Sequence, residues 1–279
     1  LADSWLLSPK KSYPCHRNTH KKLFLRGGQQ PAINSNTNPT SEKSLIVGPV
    51  TNLSALQSFY ECGESNEIFL SKIEDLKRSY SGYRPIKGDG NCFVRGYVFG
   101  ALESLLSNRT EAGGLQGLLA GYYFYITDAT LGLGYSKLAV EDFYQDVQNQ
   151  LSLITDGTMT RDMLVDSFNT PHVSNAMVFF FRLVCSCYLQ QHAASFGPFL
   201  GIDGDVAAVR GKVKEFCTRE VEPLDKEMDH MQITALTQAL GVGLRVAHLD
   251  RSPGGLNYHS FPDQAAPAMH MLYRPGHYD

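Results

Sequence analysis

The chain has 279 residues, 43% of them hydrophobic and 19% charged, with a formal net charge of -3. That balance supports one large or two small packed domains and excludes a protein whose hold on nucleic acid is mainly electrostatic. Runs of about 18 consecutive apolar residues are absent, so no membrane-spanning helix is expected.

Residues 1–46 are basic, with Lys10, Lys11, Arg17, Lys21, Lys22 and Arg26 set against only Asp3 and Glu42. They are also polar and turn-rich from Gly27 onward, and are expected to be a disordered N-terminal arm rather than a transit peptide. The first residue is Leu1 rather than Met, which suggests a fragment or an imperfect gene model. Cys15, His16 and His20 fall short of the usual four zinc ligands. The six cysteines, Cys15, Cys62, Cys92, Cys185, Cys187 and Cys217, form no C-x-x-C pair and no disulfide ladder. They read as reduced thiols of a cytoplasmic or nuclear protein.

The remaining residues, 47–279, read as one domain. Leu53, Leu56 and Phe59, then Ile68, Phe69, Ile73 and Leu76, recur at helical steps over 52–80. Tyr80 to Ile86 runs extended into the turn Gly88-Asp89-Gly90-Asn91. Apolar residues at 94, 98, 101, 102 and 105 then predict a helix that opens at Cys92, with Asn91 as a side-chain N-cap. Gly96 and Gly100 each weaken that helix by about 1 kcal/mol relative to Ala. Residues 110–135 suggest a helix interrupted at Gly121 and near Gly132. Helices are expected over 138–154, 160–168, 173–192, 206–217 and 232–240. Phe196 to Ile202 is expected as a loop with Phe199 buried, and 220–224 as an extended acidic segment. Leu244–Leu249 and Ala268–Tyr273 are strand candidates around the turn at Ser252–Gly255. Helices fill the first two thirds and strands come late, without βαβ alternation, so the class is α+β.

A thiol at the first position of a helix sits where the dipole favours thiolate and where free N–H groups can hold an oxyanion. At the other end of the chain, His277 and Asp279 are two residues apart, so on a strand they share a face. Asp279 can then orient one imidazole nitrogen and leave the other for a thiol. Cys92, His277 and Asp279 are therefore the parts of a papain-type nucleophilic site.

The stretch Gly88-Asp89-Gly90-Asn91-Cys92-Phe93, with Arg95, resembles the nucleophile motif of the ovarian-tumour (OTU) cysteine proteases. Phe216-Cys217, Glu220-Val221-Glu222-Pro223, Asp229-His230 and Leu272 to Asp279 resemble the otubain branch in the same order. The resemblance implies a papain-like OTU fold, a small central sheet between helical layers. It implies Cys92 as nucleophile, His277 as base, Asp279 as the residue that orients it, and Asp89 in the loop that serves the oxyanion. The implied activity is deubiquitination: hydrolysis of isopeptide bonds after the terminal Gly-Gly of ubiquitin, with no cofactor and no metal. Expected partners are ubiquitin and polyubiquitin chains, and a ubiquitin-conjugating enzyme, with no nucleic acid and no membrane. Glu220, Glu222 and Asp229 are candidates to meet basic residues of ubiquitin's tail. Val94 and Gly96 depart from the usual otubain residues. They keep open a second reading, a weak or inactive ubiquitin-binding module that regulates a ubiquitin-conjugating enzyme. A third is an isopeptidase for another ubiquitin-like modifier.

Overall fold

In the computed structural model the described residues are 45–61, 66–128, 132–202, 204–263 and 266–279. The arm as far as residue 44, with its Cys15, His16 and His20 cluster, lies outside them, as does Cys62.

Ile46 and Val47 lie near the start of the described chain. Their N–H groups both donate to the Asn169 side chain, at 2.8 and 3.1 Å, and Val47 bridges to Ile86. A two-residue strand β1 (Thr51–Asn52) pairs antiparallel with β2 (Gly82–Tyr83). Strands were expected only late in the chain, and this pair is too short to show an alternating pattern. Between them lie α1 (Ser54–Glu61) and α2 (Glu67–Ser79). Lys72 of α2 is wholly buried and donates to Asp250 at 2.6 Å and Ser252 at 2.8 Å.

Helix α3 (Cys92–Leu105) follows, buried along almost its whole circumference. Next comes α4 (Arg109–Thr127), one unbroken helix where an interruption at Gly121 was expected. Gly113, Gly114, Gly117 and Gly121 all face open space, while Leu115, Leu119, Tyr122 and Ile126 form the buried stripe that carries the helix through. Helices α5 (Lys137–Thr155) and α6 (Arg161–Asn169) lead to α7 (Pro171–Gln191). Helix α7 is long and apolar enough by composition to cross a membrane, yet 72% of its most apolar window is buried inside the protein. It is the central core helix, packed on α3, α4, α5 and α6. Cys185 and Cys187 face its buried surroundings as free thiols.

A short helix α8 (Ala193–Phe196) and a 3-10 turn over Gly197–Leu200 replace the expected loop, and Phe199 is 76% exposed rather than buried. Helix α9 (Val206–Phe216) runs into a π-helical turn, Cys217–Val221, where an extended segment was expected. That turn directs Glu222 inward. Helix α10 (His230–Leu240) starts from a capping box in which Asp229 accepts from the first turn and Gln232 reaches back.

The sheet contains β3 (Leu244–His248), β4 (Asn257–Phe261), β5 (Met269–Arg274) and β6 (His277–Tyr278), in the order β4-β3-β5-β6. β4 pairs antiparallel with β3, β3 pairs parallel with β5, and β6 returns antiparallel on β5. β4 escaped the sequence reading because Asn257, Tyr258 and His259 are all exposed. Leu244, Val246, Met269 and Met271 belong to the main core with α3, whereas Ala247, Leu249 and Leu272 join a smaller core with α1 and α2. The sheet therefore lies between helical layers, as α+β predicts.

Candidate active site

Cys92 stands at the first position of α3, with its residue 4% exposed. The first helical hydrogen bond runs from the Arg95 N–H to the Asn91 carbonyl at 2.9 Å. The N–H groups of 92–94 therefore precede the ladder. Asn91 was expected to cap them and makes no side-chain cap bond. Its Oδ1 instead accepts from Arg182 and from the Asp225 N–H, each at 2.9 Å, and its Nδ2 donates to the Asp225 carboxylate at 2.8 Å. The residue is 97% buried among partners from distant segments, and those bonds outweigh a local cap. The consequence is chemical: the positive end of α3 is left without a side-chain acceptor.

Gly90 makes this turn possible. It adopts φ +74, and a Cβ there would run into the Asp225 backbone. Asp225 itself adopts φ +64, a conformation that short polar side chains tolerate. Asp89 holds the same loop through its carboxylate, which accepts from Arg95 at 2.7 Å and from the Asn91 N–H at 3.1 Å. Burial opposes its charge, but the Arg95 guanidinium outweighs that and lowers its pKa. The Asp89 N–H donates to the Lys87 carbonyl at 3.1 Å. To face an oxyanion it must turn away from that partner.

His277 and Asp279 come from β6 and its end. Nε2 of His277 lies 2.8 Å from Oδ1 of Asp279. The Cys92 thiol lies near enough to this imidazole to favour its protonated form. With Nε2 engaged by Asp279, Nδ1 is the nitrogen left for sulfur. A Cβ on Gly88 would stand 3.3 Å from Nδ1, so the loop before Cys92 passes directly over the ring. Burial disfavours the imidazolium, but the hydrogen bond to Asp279, the neighbouring Cys92 thiol and the charges of both residues prevail and raise His277 to about 9.

The Asp279 side chain is fully buried and fully partnered. Its Oδ1 also accepts from the Ile86 N–H at 3.1 Å, and its Oδ2 takes Nε and Nη2 of Arg274 at 2.8 and 2.6 Å. Burial raises its pKa, but His277 and Arg274 more than offset this, so the carboxylate titrates below its ordinary value. Its backbone pairs with Leu272 in both directions, at 2.8 and 2.9 Å. Arg274 was not singled out as a site residue. Its signal was the tight Pro275-Gly276 turn, which brings residue 274 back opposite 277.

The four predicted site residues, Cys92, His277, Asp279 and Asp89, thus meet in one place, with Asp89 joined through its loop. Of the acids proposed for ubiquitin's tail, Glu220 and Glu222 are engaged elsewhere, whereas Asp229 lines the cleft over Cys92. Glu222 is buried and accepts from Ser186 at 2.6 Å and Tyr135 at 2.7 Å. Glu220 pairs with Arg219 and Lys226, and Asp229 caps α10. A cleft of about 440 Å³ opens over Cys92, lined by Gly90, Glu227, Met228, His248, Tyr273 and Tyr278. His248 lies 4.4 Å from His259, ring to ring, and burial together with that neighbour lowers it to about 4. A thiol, an imidazole beside it, a carboxylate on that imidazole and unpaired helix N–H groups together suit acyl transfer through a thioester.

A family model described as Peptidase C65 Otubain matches residues 38–279. The human ubiquitin thioesterase OTUB1 is 37% identical over 222 residues, covering 79% of this chain and 78% of that protein. An Arabidopsis thaliana ovarian tumor domain-containing deubiquitinating enzyme is 36% identical over 251 residues, covering 84% of this chain and 79% of that protein. Among solved structures, a ceOTUB1–ubiquitin aldehyde–UBC13~Ub complex matches with TM-score 0.74 at 30% identity, covering 85% of this chain and 93% of that one.

Proposed function

Because the chain belongs to the otubain family of cysteine peptidases, we propose that it is a deubiquitinase that cleaves the isopeptide bond after the terminal Gly-Gly of ubiquitin, with Cys92 as nucleophile. One observation carries the assignment of roles: Cys92, at the open end of α3, lies beside an imidazole that Asp279 holds at 2.8 Å.

The reaction follows from the parts. His277 takes the thiol proton, and the sulfur attacks the carbonyl carbon of the last glycine. The carbonyl oxygen becomes an oxyanion, which the N–H groups at the start of α3 stabilise; one such donor is typically worth about 3 kcal/mol of barrier. The tetrahedral adduct collapses, the C–N bond breaks and His277 gives its proton to the departing lysine amine. Water, deprotonated by His277, then attacks the thioester, releases the ubiquitin carboxylate and restores the thiol. Asp279 keeps Nδ1 directed at sulfur throughout. Asp89 shapes the loop, and its N–H joins the oxyanion site once it leaves Lys87.

The test is a ubiquitin carrying a C-terminal electrophile. Wild-type protein is expected to form a covalent adduct at Cys92, and Cys92→Ala is expected to form none while still binding ubiquitin. Absence of an adduct in folded, reduced wild-type protein would falsify the reading.

A second role, on a ubiquitin-conjugating enzyme, is supported by likeness to solved complexes that hold UBC13~Ub or UBCH5B~Ub. Its signature is slowed chain synthesis by Cys92→Ala protein. A cytoplasmic or nuclear location belongs to the same reading and rests on the cysteine pattern; fractionation of cells checks it.

A further inference from the structure

We propose that Arg182 is a positioning residue that fixes two chain segments bordering the Cys92 cleft, so that turnover depends on its guanidinium although it never meets substrate. The inference rests on the assignment of Cys92 as nucleophile.

Arg182 lies midway along α7 and is fully buried. Its Nη1 donates to the Val221 carbonyl at 3.0 Å. Its Nη2 donates to the Gly90 carbonyl at 3.1 Å, to Asn91 Oδ1 at 2.9 Å and to the Lys226 carbonyl at 2.5 Å. These acceptors belong to the loop before α3, the π-helical turn and the segment before α10. Gly90, Glu227 and Met228 all line the cleft. A single planar group therefore ties together the loop before α3 and the segment before α10, two stretches of chain that contribute to the cleft.

Stability alone is a poor explanation for this arrangement. All four acceptors are neutral, and Nε is buried with no hydrogen-bond partner among the described residues. A guanidinium desolvated without a directly bonded carboxylate is costly. The arrangement makes sense when several carbonyls must be held at fixed separation. Lysine cannot replace it, because one ammonium lacks the fork that reaches in two directions. Arg182 has a second effect. By occupying Asn91 Oδ1 it keeps that side chain off the N–H groups at the start of α3, where the oxyanion forms.

The experiment compares full-length wild type, Arg182→Lys, Arg182→Met and Asn91→Ala. Four quantities are read: kcat and KM on diubiquitin, the rate of Cys92 alkylation by iodoacetamide, and amide exchange at 88–91 and 226–228. For Arg182→Lys, kcat is expected to fall at least tenfold with KM and alkylation within twofold of wild type. Exchange is expected to quicken at both loop segments and not along α7. Wild-type kcat in Arg182→Lys overturns the proposal. So does a loss of activity that only tracks the unfolded fraction, with exchange raised throughout. Asn91→Ala removes a shared acceptor while keeping the buried charge, and decides the matter if the Arg182 variants do not fold: lower kcat at constant KM supports the proposal, and unchanged kcat overturns it. Wild-type protein inert on every diubiquitin would instead sink the hydrolase reading, leaving the exchange data to decide this one.

Discussion

Asp279→Asn separates the charge on the imidazole from the shape of the site. In the wild type His277 is raised from 6.5 to about 9, against the effect of burial, by Asp279 and Cys92. At about 1.4 kcal/mol per tenfold change in a proton equilibrium, that lift corresponds to about 3 kcal/mol in favour of the imidazolium. The His277 side chain is 18% exposed, and screening reduces the share owed to Asp279 to about 2 kcal/mol. The sign is fixed by linkage: an imidazolium favoured by folding stabilises the protein fully below about pH 6.5, and this is lost as pH rises through about 9. In Asp279→Asn the alkaline limb of kcat/KM should fall from near pH 9 to between about 7 and 7.5, and the rate at pH 8 should drop about four- to tenfold. Arg274 would also face an amide in place of its carboxylate, costing about 2–3 kcal/mol of stability. Hydrolysis of a fluorogenic ubiquitin between about pH 5.5 and 9.5, with urea unfolding alongside, measures both. An alkaline limb that stays where the wild type has it would refute the coupling of Asp279 to His277.

Gly90→Ala places a Cβ against the Asp225 backbone at φ +74; a loss of about 2–4 kcal/mol in urea unfolding is expected, with activity falling in the fraction that remains folded. In Gly96→Ala the new Cβ lies 2.9 Å from the terminal methyl of Met271, an atom that can move. That variant should be neutral or up to about 1 kcal/mol more stable, whereas Gly100→Val, crowding Met269, should lose about 1–3 kcal/mol by thermal melting. Lys72→Met leaves Asp250 without its buried partner. Burial opposes the Asp250 charge, but Lys72 and Ser252 prevail and lower it to about 2. Their stabilisation is present above about pH 3.8 and lost as pH falls through about 2. The variant should therefore cost about 1–2 kcal/mol at neutral pH and less in acid, read as a pH series of denaturant midpoints.

The grouping of Cys92 with His277 and Asp279 was legible because each is tied to local grammar. The glycine turn and helical spacing located Cys92, and the i, i+2 relation on a strand joined His277 to Asp279. Most helices were legible from apolar period alone. The failures have physical causes. Glycine at 113, 114, 117 and 121 signals a break only if those residues must pack, and they face open space. Phe199 was assigned to the core by residue type, although nothing local compels an aromatic ring inward. Asn91 looked like a cap because local pattern cannot show Arg182 and Asp225 competing for its amide. Glu222 looked like a surface acid because the π-helical turn that buries it leaves no periodic trace.

Sulfur and imidazole ride on different layers, one on α3 and the other on the sheet edge. What joins those layers is soft: methionine methyls seated at Gly96 and Gly100, and the edge of Phe93 against Tyr278 at 5.1 Å. The distance a proton must travel therefore depends on an interlayer spacing to which the volumes of Met269 and Met271 contribute. Small changes at Met269 or Met271 become a way to retune turnover without altering Cys92, His277 or Asp279.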